Sequence, residues 1–508
     1  MQKGAFSLQS GIHLGAKLFM LKTYYIKTFG CQMNYADSEK IDMILRSAGL
    51  RKMLDPIQAD IVICNTCSVR QKGEDRVFGF IHEIERYHKT NATGKKPLFG
   101  FTGCMVRKSG LAKLYLRDEE GNMSEEYKRK NAEKIALLDS SDALANYDDE
   151  LFLRSQSIDF VFRIEEVSFL TKILSLITSE DIGNDAKFNE YLAVRQLQEN
   201  PASANVIIQT GCDNYCSFCI VPYTRGREIS RDPDTIVAEI REVVQSGTRE
   251  VTLLGQNVNS YGKETKKKLW NVEELTWTDK NIETPFRELL NKISEIDGLD
   301  RIRFTSSNPH DMTLDILSAH FDLPHMTPHL HFALQSGSDT MLQKMNRKHT
   351  YADFKSQVDY LRSRDPLFSI STDIIVGFPG ETEEEFQATA TAMRECQFDV
   401  AFIARYSARV GTTATNRFED DISPGEKARR WTILNDILRE TAQSRNLLMV
   451  GREEEILISG EGKDETWVGR TRNFKEVFIQ KKSAVKIGDI VKVRITEGDK
   501  WVLKGNLI

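Results

Sequence analysis

No run of about 20 mostly apolar residues, the length a helix needs to cross a bilayer, occurs in this 508-residue chain. Its mean hydropathy is negative, so a helical membrane protein is excluded and a soluble, cytoplasmic protein is expected. Residues 1–21 carry only Lys3 ahead of a Gly/Ser-broken stretch and lack the clean apolar core and small-residue cleavage site of a secretory signal. Glycine (31) and proline (12) are too few for a collagen-like or low-complexity chain. The 8 cysteines are too few and too unevenly spaced for a secreted disulfide framework. A strong basic excess is also missing: 69 Lys and Arg stand against 74 Asp and Glu, a net charge of −5, which taken alone argues against a polyanion as partner. The charge is uneven, however. From Ser444 to the end the balance is +3, so the C-terminal part is where a polyanion would meet this chain. The length predicts about three domains, each able to bury a core.

What cysteine there is, is clustered. GCDNYCSFC (211–219) places Cys212, Cys216 and Cys219 at the spacing C-x3-C-x2-C, of which random placement would give about 0.002 instances. Structural zinc usually takes four ligands in paired C-x2-C units, and no fourth ligand lies nearby. Three thiolates suit an iron–sulfur cubane with one iron left open. Cys31, Cys67 and Cys104 lie far apart, yet each follows an apolar run: KTYYIKTFGC, ADIVICNTC and KPLFGFTGC. Three strands ending this way would gather three thiolates at the carboxyl edge of one sheet, against the alternative of three inert buried thiols. Cys64 and Cys396 read as core.

The stretch 20–162 alternates strands and helices, with SEKIDMILRSAG and RVFGFIHEIERYHK as the clearer helices. Residues 107–159, rich in charge and Ser/Asn, read as an insertion, and 177–204 as a linker. From Asn205 six strand–helix repeats follow: NVIIQTGC, EVTLLGQN, RIRFTSSNP, HLHFALQSGS, FSISTDIIVGFPGE and FDVAFIARYSAR. They imply a parallel, partial (β/α)6 barrel with its function at the carboxyl ends of the strands. A polar loop at 263–284, with lysines at 266–268, interrupts them. A long helix over 423–448 leaves the barrel, and the last sixty residues read as a small β-barrel. The fold class is therefore α/β: an N-terminal α/β domain with a parallel sheet (22–165), the central barrel (204–441) and the C-terminal small β-barrel (442–508).

TFGCQMN (28–34), NTCSVR (65–70), GCDNYCSFCIVPYTRG (211–226), LLGQNVNSYG (253–262), LQSGS (334–338), MNRKHTY (345–351) and DIIVGFPGETEEEF (373–386) resemble the radical S-adenosylmethionine (radical SAM) methylthiotransferase family. TFGCQMN, NTCSVR and IVPYTRG are similar to its branch acting on N(6)-dimethylallyladenosine in tRNA. The resemblance implies two 4Fe-4S clusters, a radical cluster on Cys212, Cys216 and Cys219 and an auxiliary one on Cys31, Cys67 and Cys104. It implies S-adenosylmethionine as methyl donor and radical source, and a C-terminal TRAM-like module that recruits RNA. The partners it implies are a tRNA anticodon stem-loop, an electron donor such as flavodoxin or ferredoxin, and a sulfur or cluster donor.

The implied chemistry suits the target. The C–H bond at carbon 2 of adenine has no acidity for a side-chain base to use, so a cofactor must carry the step. Loop bases in RNA can be splayed out and presented to a buried site. Candidate S-adenosylmethionine contacts at strand ends are Gly255, Gln256, Asn257, Ser306, Gln335, Ser336 and Asp373, with the turn Gly377–Gly380 holding backbone near the adenine. Arg225 and Arg227 are candidates for a phosphate or a cofactor carboxylate. Arg470, Arg472, Lys475, Lys481 and Lys482, interleaved with Trp467 and Phe474, are candidate RNA contacts. Relatives acting on threonylcarbamoyl-adenosine in tRNA or on a ribosomal-protein aspartate give the alternative substrates. A non-catalytic iron–sulfur RNA-binding protein is the alternative class.

Overall fold

Parallel strands buried on both faces need apolar runs with a crossover between each pair, and the N-terminal part supplies them. Strands β1 (Thr23–Thr28), β2 (Arg51–Lys52), β3 (Ile61–Thr66), β4 (Leu98–Gly103) and β5 (Ile158–Val161) form one sheet in the order β2-β1-β3-β4-β5, all parallel. Helix α1 (Gln32–Ser47) and helix Leu170–Thr178 cover one face through Ile41, Leu45, Leu170 and Leu174. Helix α2 (Gln71–Thr90) covers the other through Val77 and Ile81. Cys64 is wholly buried in this second layer. This computed structural model describes residues 21–67, 71–91, 96–107, 151, 155, 157–178, 182, 191–194, 196, 200–263, 277–278, 283–481 and 484–508. Most of the expected insertion and the lysines at 266–268 lie outside the described residues. Within the expected linker, Tyr191 and Val194 are buried in the first layer, so that part of it is core.

Helix α1 begins six residues before the apolar pattern that suggested it. The Asn34 side-chain oxygen accepts the Cys31 N–H at 3.2 Å and caps the first turn. Asn34 and Asp37, which precede that pattern, are buried on polar partners rather than apolar ones, which hides the start of the helix from hydrophobic periodicity.

The central part pairs β6 (Ser203–Ile207) with β9 (Glu250–Leu254) and β9 with β10 (Arg301–Phe304), and separately joins β11 (His329–His331), β12 (Ser369–Val376) and β13 (Val400–Arg405), all parallel. A short antiparallel pair, β7 (Gln209–Thr210) and β8 (Ile229–Ser230), flanks the cysteine loop. Single parallel bridges join the two halves, Ser307 to Phe332 among them, giving the open six-stranded arc expected. The core between its strands and the surrounding helices holds Phe286, Phe304, Phe332, Phe354 and Phe368. Ile207 and Leu254 belong to the same core layer as α1, so the N-terminal sheet packs against the β6 edge of the arc.

The helix Pro424–Leu447 leads out of the barrel and runs across the expected boundary at 441/442. Beyond it, β14 (Glu453–Glu461), β15 (Thr466–Arg470), β16 (Glu476–Gln480), β17 (Ile490–Gly498) and β18 (Val502–Leu507) close into a barrel. This small barrel caps the amino ends of the central strands. Arg301 donates to Arg470 O and Glu455 O at 2.8 and 2.9 Å, and Arg303 donates to Thr471 O at 3.1 Å. Phe474 stacks on His329 at 4.6 Å. Lys475 pairs with buried Asp399 at 2.5 Å, and Arg445 meets the same carboxylate at 3.3 Å. Among the described residues no helix is long and apolar enough to cross a membrane.

Two stability predictions arise here. Asp399→Ala leaves Lys475 and Arg445 as buried cations without their carboxylate, a loss of about 3–5 kcal/mol. A lowered urea midpoint checks it, beside Asp436→Ala at an exposed pair that costs about 1 kcal/mol or less. His320, packed between Phe304 and Phe368, is pushed by burial down to about 4. The unfolded chain therefore binds its proton first, and stability from this group is lost as pH falls from about 6.5 to 4. His320→Phe gains on the parent protein over that window, read as the difference in urea midpoint between pH 7 and pH 4.5.

Candidate active site

Because β1, β3 and β4 are adjacent and parallel, the residues that follow them emerge at one edge. Register pairs Thr28 with Asn65 and Thr66 with Gly103. A β-carbon placed on Gly30 would lie 3.0 Å from the Cys67 β-carbon, and Cys104 N–H donates to Thr66 O at 2.8 Å. Cys31, Cys67 and Cys104 are thus gathered by three neighbouring loops. Two amides tie these loops together: Asn34 Nδ2 donates to Asn65 Oδ1 and Thr66 O at 3.1 and 3.2 Å, and Asn65 Nδ2 donates to Asn34 O at 2.7 Å. Gly103, at φ +89°, is pressed so closely on β3 that a β-carbon would stand 2.3 Å from Thr66 O.

The second triplet is one loop, entered through Gly211 at φ +77° and held on the barrel by short contacts. Cys212 N–H donates to Gly226 O at 3.3 Å, Ser217 N–H to Met345 O at 3.0 Å and Cys219 N–H to Cys216 O at 2.9 Å. Arg347 Nη1 stands 3.4 Å from Cys216 Sγ. The two triplets are neighbours across the domain boundary. Burial pushes the Cys219 thiol up to about 12, with Cys216 and, across the domain boundary, Cys104 adding to the shift.

Burial likewise raises the Cys212 and Cys104 thiols, the latter opposed by Arg225. Such thiols become thiolates only beside a compensating cation, which iron provides. Among the described residues no three His, Cys, Asp or Glu are gathered to hold a metal ion. A cubane takes each thiolate on a separate iron and so accepts a wider spacing of sulfurs than a single ion does.

Between the triplets runs a buried ion pair. Arg225, in the loop after Cys219, donates through Nη2 to Asp37 of α1 at 2.5 Å. Tyr191 Oη donates to the other Asp37 oxygen at 2.5 Å, and Lys40 Nζ to Tyr191 O at 2.9 Å. Arg225 was expected at a phosphate or cofactor carboxylate, but it meets a protein carboxylate at the domain interface. Arg227 is exposed, 3.6 Å from Asp213.

Three family models match the chain: the Radical SAM superfamily over residues 206–393, Uncharacterized protein family UPF0004 over 23–122, and the TRAM domain over 447–508. The tRNA-2-methylthio-N(6)-dimethylallyladenosine synthase of Dictyoglomus thermophilum is 36% identical over 495 residues, 96% of this chain and 98% of its own. The synthases of the same name from Clostridium novyi (35%, 96% and 97%) and Carboxydothermus hydrogenoformans (36%, 96% and 99%) are similar to the same extent. The chain belongs to the tRNA-2-methylthio-N(6)-dimethylallyladenosine synthase family. Membership brings S-adenosylmethionine and 4Fe-4S clusters as cofactors and makes the chain a radical SAM methylthiotransferase.

The barrel's carboxyl end fits the smaller cofactor. Side-chain atoms of Gln209, Thr210, Gln256, Asn257, Ser307 and His349 are buried there without a hydrogen-bond partner, a concentration that calls for a polar ligand. Gly255 lies beside Gln209, where a β-carbon would come within 3.5 Å of Gln209 Oε1. Ser306 and Gln335 hold φ of +66° and +73°, turning the chain at their strand ends. Asp373 accepts from His331 at 3.1 Å. Ser336 departs from expectation: its hydroxyl bonds Thr389 and the Ser338 N–H, away from the unpartnered groups. The Gly377–Gly380 turn is fixed by Glu381, which accepts from Gly377 N–H at 2.6 Å and Arg430 at 2.7 Å. Sequence reasoning missed Gln209, Thr210, Ser307, Arg347 and His349. The last two lie in the MNRKHTY motif, whose charges were the available signal.

The expected RNA contacts divide. Lys475 is buried on Asp399, and Arg472 donates to Asp300 O and Met326 O at 3.2 Å, so both are spent on holding the small barrel to the large one. Trp467 is buried in the small barrel's core, and half-buried Phe474 stacks on His329 in the seam, so neither is a free stacking platform. Arg470 lies over Phe474 at 4.3 Å. Lys481 is exposed and pairs with Glu461 at 2.8 Å. Lys482 lies outside the described residues.

Gly103→Ala adds a β-carbon where backbone stands 2.3 Å away and φ is +89°. It should cost the auxiliary cluster alone, so that iron per reconstituted chain falls from about eight to about four. Retention of eight irons contradicts the loop geometry.

Proposed function

We propose that the chain attaches a methylthio group to carbon 2 of N(6)-dimethylallyladenosine next to the anticodon of tRNA. The observation that carries this reading is the buried Asp37–Arg225 pair, which ties the helix that starts at Cys31 to the segment that follows Cys219, in a chain that matches synthases of that name over 96% of its length. Cys212, Cys216 and Cys219 would hold the radical cluster, and Cys31, Cys67 and Cys104 the auxiliary one. Bound there, the clusters and S-adenosylmethionine supply a carbon-centred radical on one side and a methylated sulfur on the other.

The protein's own part is binding and placement. Gly255, Gln256, Asn257, Ser306, Gln335 and Asp373 form the cradle for S-adenosylmethionine, and the unpartnered buried atoms of Gln209, Ser307 and His349 support adding these three. Arg347 holds the Cys216 sulfur. The division into residues 22–165, 204–441 and 442–508 assigns these roles to an auxiliary-cluster domain, a radical SAM domain and an RNA-recruiting domain. Arg470, Lys481 and Lys482 remain its candidate RNA contacts. A flavodoxin or ferredoxin as electron donor, a sulfur or cluster donor and a cytoplasmic setting complete the reading.

The test is anaerobic reconstitution, then dithionite, S-adenosylmethionine and tRNA bearing dimethylallyladenosine, read by mass spectrometry. The expected result is 5′-deoxyadenosine together with the methylthio nucleoside, both lost in Cys216→Ala/Cys219→Ala while tRNA binding persists. Deoxyadenosine without the modified nucleoside, with threonylcarbamoyl-adenosine modified instead, would move the substrate to the neighbouring branch.

A further inference from the structure

Tyr215 stands between Cys212 and Cys216 in a backbone conformation that does not suit its residue type. Its φ is +48°, in the left-handed region that glycine and asparagine enter readily and where a bulky side chain is an outlier. The chain pins it there from across the site: Asn346, itself at φ +55°, donates from Nδ2 to Tyr215 O at 2.9 Å. The ring that this conformation presents is 40% exposed. It meets Tyr223, in the short helix Val221–Thr224, edge to face, with centroids 6.3 Å apart and ring planes at 79°. An edge-to-face contact covers at most one face of each ring. A ring left this open stabilises the fold little against the strain of its backbone, and strain of this kind persists where function uses it. An exposed cation, Arg227, stands 3.6 Å from Asp213 of the same loop.

We infer that Tyr215, braced by Tyr223, is a stacking platform for an unpaired RNA base next to the target adenosine. The inference rests on the reading of tRNA as substrate. A base that is to be modified must leave the loop stack to reach a buried site, and its neighbours then lose the ring on which they stacked. An exposed aromatic side chain replaces that ring for any base, since every base has a π-face. Arg227 suits the backbone phosphate that joins the two nucleotides. The platform lies within the loop that carries the radical-cluster cysteines, so RNA docking and the radical site share one short segment. S-adenosylmethionine also carries an adenine and is the rival occupant for the same ring face.

The test is fluorescence anisotropy of a labelled anticodon stem-loop bearing dimethylallyladenosine, titrated with the reconstituted full-length chain. Iron content, the urea midpoint and S-adenosylmethionine affinity are measured for each variant. Tyr215→Phe should bind RNA like the parent. Tyr215→Leu keeps apolar bulk but has no π-face, and should bind RNA roughly tenfold or more weakly with S-adenosylmethionine affinity unchanged. Tyr215→Gly should weaken RNA equally while the urea midpoint holds or rises, because glycine accepts φ of +48° without strain. Tyr87→Ala, at an exposed ring on α2, should leave RNA affinity as it was. Equal RNA affinity in Tyr215→Leu and Tyr215→Phe overturns the inference. So does a loss of S-adenosylmethionine affinity that equals or exceeds the RNA loss, which gives the ring to the cofactor. A variant short of iron is judged against Cys216→Ala/Cys219→Ala, which lacks the same cluster: weaker RNA binding than that chain supports the inference, and equal binding overturns it. A parent chain with both clusters loaded that does not bind the stem-loop would instead overturn tRNA as the substrate.

Discussion

The buried pair between Asp37 and Arg225 is the contact on which the arrangement of this protein depends. Each α/β unit places its chemistry at the carboxyl ends of its strands, and nothing in either unit alone brings those ends together. Asp37 comes from the helix that starts at Cys31, and Arg225 from the loop that contains Cys212, Cys216 and Cys219. Their ion pair, with both side chains almost fully buried, joins the two sites at the point of function. A buried pair of this kind is weak evidence for net stability, since desolvation offsets most of its attraction. Its value here is registry: an offset at this interface would bury a charge without its partner, so competing arrangements are disfavoured.

The interface also explains which features were legible beforehand. Strand ends that finish in Gly–Cys or Asn–Thr–Cys carry their own signal, because glycine and small polar residues mark the turn while the apolar run marks the strand. The six β/α repeats and the closing five-stranded barrel were readable for the same reason. The start of α1 and the surroundings of its polar face were not. Asn34, Asp37 and Lys40 look like a solvated face by composition, yet all three are buried on polar partners, and burial drives Lys40 down to about 7. Hydrophobic periodicity cannot separate a polar face turned to water from one turned to another domain.

The same ambiguity governs the C-terminal module. Its lysines and arginines make a net positive segment, and a basic segment suggests nucleic acid. Lys475 and Arg472, however, serve the seam with the large barrel, as do Arg301 and Arg303 on the opposing side. Charge counted along a chain does not distinguish a cation offered to solvent from one spent on a carboxylate or a carbonyl. The polar groups at the barrel's carboxyl end show the converse: Gln209, Ser307 and His349 are unremarkable in sequence and become meaningful only when each is seen to carry a buried polar atom without a partner.

The central claim is that the two triplets are neighbours across the Asp37–Arg225 interface. EPR of the chain with both clusters reduced tests it most directly. The account predicts a spectrum broadened or split by spin–spin interaction, which collapses to a simple signal when either triplet is replaced by alanine. A spectrum equal to the sum of the two single-cluster spectra would contradict it.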